Sequence, residues 1–146
     1  MKHYIDSLEQ TPRAVREIVA SAPDIDRRNG DFFSLRENVA HLRDIDTMGF
    51  EQRLRRMLHE EHPTLPDVDG ARLAVERVYA TLPVEPELTA FESSRAASIA
   101  LLRTLDESVL ERTADLETVG PITLRQLLER WITHDNEHLA EMRTLV

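Results

Sequence analysis

Thr123-Leu124-Arg125-Gln126-Leu127-Leu128-Glu129-Arg130-Trp131-Ile132-Thr133-His134-Asp135-Asn136-Glu137-His138 is the stretch that decides how this chain is read. Leu124, Leu127, Leu128, Trp131, His134, His138, Met142 and Leu145 recur at spacings of three and four, the apolar stripe of an amphipathic helix. That stripe is the wrong face for two ordinary histidines. Four helical positions advance a side chain by only about 40° and leave the Cβ atoms about 5–6 Å apart, so both rings can reach one ion. A third histidine, His41, holds a comparable place in another predicted helix. Three neutral imidazoles converging inside a small helical protein point to a metal site with open coordination positions.

Outward from this segment the chain reads as all-α. Only 4 glycines occur and aromatics make up 5% of the residues, while apolar positions repeat at helical rather than alternating spacing, so no strand is expected. Ile5, Leu8, Val15, Ile18 and Val19 mark helix one, with a break or kink expected at Thr11-Pro12, where Thr can cap and Pro suits a first helical position. Asp24 to Asp31 reads as a loop. Ser34-Leu35-Arg36-Glu37 is a capping box opening helix two, which runs to about Glu60 with Phe32 or Phe33 able to staple its entry. Pro63, Pro66, Pro83, Pro86 and Asp69-Gly70 make residues 62–86 a long crossover holding one helical stretch, Ala71 to Thr81. Helix three covers about Glu87 to Leu105, Asp106 to Pro121 is a mixed connection, and Thr123 caps helix four. The expected architecture is a four-helix bundle over residues 1–146. Its long crossover frees helices two and three from lying as hairpin neighbours.

A chain of 146 residues can bury a continuous core without a metal staple, so an ion here reads as functional. There is no cysteine, which excludes disulfides, thiolate ligands and a cysteine nucleophile. The formal charge of −9, from 27 acidic and 18 basic residues, opposes attraction to phosphate backbones and anionic lipid, so neither nucleic acid nor membrane is an expected partner. Met1 to Asp6 lacks the apolar core of a signal peptide, and no apolar run approaches the roughly 20 residues of a spanning helix. A soluble cytoplasmic protein acting on a small molecule is the expectation.

Each candidate residue also has a plainer reading. A single buried histidine is more often hydrogen-bonded core than ligand, but three unpaired imidazoles are costly to bury, and a shared cation satisfies one nitrogen of each. Histidines without thiolates favour zinc or nickel over magnesium or calcium, and three ligands leave room for water or substrate. His134-Asp135-Asn136-Glu137-His138 fails the HExxH pattern of zinc proteases, because aspartate follows the first histidine and few residues remain downstream for another ligand. Asp135 and Glu137 read as solvated charges, or as groups orienting an imidazole from behind. His59 and His62 fit a charged helix terminus, and His3 carries no signal. Arg95 lies along the inward side of helix three as a salt-bridged or snorkelling residue, or as a pocket cation for an anionic substrate. Trp131 and Met48 read as core.

Phe33-Ser34-Leu35-Arg36-Glu37-Asn38-Val39-Ala40-His41-Leu42, together with Thr123 through Leu139, resembles the DinB-like superfamily. The order and separation of the histidines, one in helix two and a pair four apart in the last helix, carry the likeness. Phe33 departs from it, since many relatives have tryptophan before the capping serine. The resemblance implies a four-helix bundle binding a divalent metal, nickel or zinc, through His41, His134 and His138. It implies an enzyme that uses a low-molecular-weight thiol such as bacillithiol or mycothiol for S-transfer, with a metal-dependent hydrolase or a non-catalytic metal-binding protein as rivals. It also implies a homodimer.

Overall fold

The computed structural model describes residues 1–146. Ser34 and Glu37 form the expected reciprocal cap, and from it α2 (Leu35–Ile45) continues through six residues of π-helix, Asp46–Glu51, into α3 (Gln52–His59) as one rod. Thr123 and Gln126 form a second capping box at the head of α6 (Leu124–Arg143). The other two rods are α1 (Lys2–Ser21) and α5 (Val84–Arg103).

Side-chain pairs fix how the rods run. On α2 and α5 they advance together, from Arg43–Glu87 to Thr47–Ser94, so these two helices are parallel. α1 and α6 are parallel as well, through Tyr4–Glu129 and Thr11–Asp135. Arg103–Glu9 and Arg16–Glu92 set α5 antiparallel to α1, and Asn38–His138 and Asp46–Trp131 set α2 antiparallel to α6. α1, α5, α2 and α6 therefore succeed one another around a closed four-helix ring. The long crossover between α3 and α5 makes the parallel pair possible, since a short loop can join only antiparallel neighbours.

That crossover holds β1 (Thr64–Leu65), α4 (Gly70–Glu76) and a 3₁₀ turn at Tyr79–Thr81, so the helix expected from Ala71 to Thr81 stops short. The break falls at Arg77-Val78, where Val78, with a φ of 51°, places a β-branched residue in the left-handed region. The absence of strands was a wrong expectation. β2 (Thr113–Leu116) pairs parallel with β1 and antiparallel with β3 (Gly120–Thr123), and Leu65, Ala114, Leu116 and Ile122 send their side chains into the core. Strands of two to four residues are too short to display an alternating pattern. No helix is long and apolar enough to cross a membrane.

α1 does not break at Thr11-Pro12. Pro12 lies inside a continuous helix, although its missing N–H leaves the Leu8 carbonyl without its usual intrahelical partner. Arg95 of α5 takes that place, donating from Nη1 to the Leu8 oxygen at 2.7 Å. The same guanidinium anchors a buried polar layer with Asp46, Thr11 and Asp135. One apolar cluster, containing Leu8, Phe50, Leu102 and Trp131, lies to one side of this layer. Val15, Leu42, Phe91 and Met142 belong to a second cluster on the other. Trp131 is fully buried as expected, whereas Met48 is only half-buried.

Candidate metal centre

α2 and α6 cross with His41 facing His134 and His138. Nε2 of His41 lies 3.1 Å from Nε2 of His134, and one ring nitrogen from each of the three lies within 4.8 Å of the others. Nitrogens bound cis to a zinc or nickel ion at about 2.0–2.1 Å stand about 2.9–3.4 Å apart, so the His41–His134 gap fits chelation by one ion. The ring centroids of His138 are 4.4 Å from His41 and 4.5 Å from His134.

The surrounding residues make these rings neutral and hold them. Burial, reinforced by the neighbouring His138, pushes the pKa values of His41 and His134 down to about 3. Burial also lowers that of His138, against the opposing pull of Glu141, Asp135 and Glu137. Each ring therefore offers a lone pair at neutral pH. Asn38, one turn before His41, donates from Nδ2 to the carbonyls of Phe33 and Ser34, which leaves its Oδ1 facing His138 Nδ1 at 2.8 Å. His138 thus carries its proton on Nδ1 and presents Nε2 unprotonated. Glu141 Oε2 stands 3.3 Å from the same Nδ1. Phe33 packs on His41 with centroids 5.4 Å apart, and Phe50, in the π-helical segment, packs on His134 at 5.6 Å. A Cβ at Gly70 would lie 3.0 Å from His41 Cε1, so α4 approaches the ring as closely as it does only because glycine stands there. His41 Nδ1 is buried with no hydrogen-bond partner, so the ring is held by packing rather than by a second bond.

Two cavities flank the triad. One of about 590 Å³ reaches His134, and one of about 380 Å³ reaches His138. Glu137 lines both.

Residues 7–142 match the sequence model of the DinB superfamily. This chain belongs to the DinB superfamily. Two proteins of Oceanobacillus iheyensis are similar to it, each bearing a name that proposes a metal-dependent hydrolase. One is 27% identical over 149 residues, covering 99% of this chain and 85% of that protein; the other is 26% identical over 111 residues, covering 76% and 63%. YfiT from Bacillus subtilis, whose description proposes a metal-dependent hydrolase and calls its four-helix bundle topology unusual, superposes with a TM-score of 0.90 over 99% of this chain and 84% of that one. At 24% identity it establishes the shared fold.

Within this member of the DinB superfamily, Arg95 is not the pocket cation that its place on α5 allowed. It is 1% exposed and commits every N–H inward: Nε and Nη2 to Asp46 Oδ1, Nη1 and Nη2 to Asp135, and Nη1 again to Leu8. No donor remains for a substrate. Burial opposes its charge, but Asp135 and Asp46 outweigh that and hold its pKa above the ordinary arginine value. Asp135 is equally misplaced by a reading that has it orient an imidazole. It is buried, accepting from Arg95 and from Thr11 Oγ1 at 2.7 Å, and so secures the helix turn that carries His134. His59 and His62 lie exposed, away from the triad. Asn38, Phe50, Gly70 and Glu141 escaped the sequence reading. Asn38 and Glu141 were in principle detectable, each one turn from a candidate ligand on the same helix face.

Proposed function

We propose that His41, His134 and His138 hold a divalent cation, zinc or nickel, and that this DinB-superfamily chain is a metal-dependent hydrolase of a small molecule. The observation that carries this reading is the convergence of three neutral imidazole nitrogens within 4.8 Å beside a cavity of about 590 Å³. An all-nitrogen donor set suits zinc or nickel better than magnesium or calcium. The names of the two Oceanobacillus proteins support hydrolysis. An ion held by these three rings would supply Lewis acidity, lowering the pKa of a water for hydrolysis or of a small thiol for S-transfer.

The chain's own residues do the rest. Asn38 fixes the tautomer and orientation of His138, and Phe33 and Phe50 keep bulk water from the ring faces. Glu137, which lines both cavities, would be the carboxylate to take a proton from an attacking nucleophile.

The second cavity favours one alternative. Hydrolysis needs room for one organic substrate, whereas the cavity of about 380 Å³ on the His138 side gives a co-substrate its own place. A low-molecular-weight thiol is the co-substrate this second reading requires, as in S-transfer. A homodimer rests on the family resemblance and is checked by sedimentation.

Elemental analysis of unchelated protein comes first, followed by an ester, amide and lactone panel with and without added thiols. Hydrolysis predicts turnover without thiol, lost on chelation, restored by the ion and absent in His138→Ala. Turnover that requires a thiol replaces hydrolysis with transfer. Protein that takes up no zinc or nickel defeats both.

A further inference from the structure

The cavity beside His134 is lined by Phe50 and Arg53 from the α2–α3 rod, Val119 and Ile122 from the β2–β3 hairpin, and Arg130 from α6. Its arginines differ from most in the chain. Twelve arginines are ion-paired, among them Arg16, Arg77 and Arg95, whereas neither Arg53 nor Arg130 has a carboxylate within 4.0 Å. Arg53 is half-buried and fixed by a bond from Nη2 to the Pro66 carbonyl at 2.7 Å, while its Nε is buried with no partner. Burial lowers its pKa, Asp67 opposes this, and the adjacent positive charge of Arg130 lowers it further. Two guanidiniums, one half-buried and fixed and one exposed, thus line the same cavity as Phe50, Val119 and Ile122 with no carboxylate paired to either.

Such an arrangement is unfavourable in the free protein and becomes favourable when an anion enters between them. The cavity's two glutamates do not fill that role. Glu129 accepts from Tyr4 Oη at 3.2 Å, and Glu137 belongs to the rim shared with His138. Arg130 precedes His134 by one helical turn, about 6 Å along the axis. The cavity therefore brings two guanidiniums, the apolar side chains of Phe50, Val119 and Ile122, and the His134 ring to one space, with Arg130 one turn from His134 on α6.

We infer that Arg53 and Arg130 are the anion-holding end of a substrate cavity, and that its ligands are small molecules joining a carboxylate to an apolar body. The carboxylate sits between the guanidiniums, the body lies on Phe50 and the hairpin, and the far end reaches His134 about one helical turn away. This assignment rests on the reading of the triad as the reactive centre, but the binding step does not need the ion.

The test is calorimetric titration of phenylacetate and of its neutral analogue phenylacetamide into the full chain, as purified and after chelation. The chelated arm prevents the carboxylate from ligating an ion instead. The acid is expected to bind about tenfold or more tighter than the amide in both arms, the range for a hydrogen bond to a charged group. Arg130→Gln, at an exposed position where folding is not at risk, removes that preference and leaves amide affinity unchanged. Arg53→Gln, checked by near-ultraviolet circular dichroism, does the same. Equal affinity for acid and amide, or an undiminished preference in Arg130→Gln, overturns the assignment. Inorganic phosphate binding more tightly than phenylacetate overturns the carboxylate class. A preference that persists in protein unable to take up zinc or nickel supports the anion site while removing the metal reading.

Discussion

Arg95→Met is the most informative single change in this molecule. Methionine keeps the apolar stem packed between Phe91 and Trp131, over which the guanidinium now lies at 5.2 Å and 5.1 Å. It removes the cation and strands Asp46, Asp135 and the Leu8 carbonyl opposite Pro12. Removing one partner of a buried ion pair costs about 3–5 kcal/mol, because the remaining charge is left uncompensated. For a chain of this length that lowers Tm by about 10–15 °C. The loss depends on pH in a stated direction. Burial already holds the Asp46 pKa above the ordinary carboxylate value, and Arg95 restrains that rise, so its removal lifts the folded-state pKa further. A carboxyl with a raised folded pKa binds more protons folded than unfolded, so stability falls as pH rises from the unfolded value through the folded one. The deficit of Arg95→Met is therefore largest near pH 8 and shrinks towards pH 5. Adding Asp46→Asn and Asp135→Asn recovers about half of it at neutral pH. Urea unfolding across that range measures both. A deficit below about 1 kcal/mol, or one independent of pH, refutes the account of the layer as a charge-compensated unit.

Asn38→Ala keeps all three imidazoles but frees His138 to take the wrong tautomer, so zinc or nickel affinity should fall about 10–100-fold, read by competition with a chromogenic chelator. Metal-free protein should lose stability as pH falls from about 6.5 towards 3, because the unfolded chain takes up protons that buried His41 and His134 refuse. Saturating metal should flatten that loss in chemical unfolding curves, and an unchanged slope would tell against shared ligation. Val78→Gly relieves a β-branched residue at φ 51° and should stabilise the chain by about 1 kcal/mol, visible as a higher urea midpoint.

The rods and their caps were legible because each signal is local. Ser34–Glu37 is complete within four residues, Thr123 announces its role as an N-cap, and His134 and His138 declare themselves by standing where leucine belongs. What stayed hidden depends on distant partners. Pro12 reads locally as a helix breaker, and only Arg95, on another rod, supplies the donor that lets the helix continue. Asp135 reads as a surface charge until Arg95 and Thr11 are placed against it. Arg95 itself fitted two readings, and choosing between them required knowing that Asp46 faces it from a π-helical segment that the residue pattern does not announce. The strands were missed for brevity, and with them the hairpin wall of the cavity beside His134.

The parallel runs of α2 with α5 and α1 with α6 also constrain how the molecule comes into being. Each rod finds its neighbours across long stretches of sequence, and α6 closes the ring against both α1 and α2. On a ribosome, α1, the α2–α3 rod and α5 can pack on one another, but the apolar faces that α6 covers stay open until it has emerged. Contacts of such sequence separation slow folding relative to a bundle of hairpin neighbours and prolong the exposure of apolar surface during synthesis.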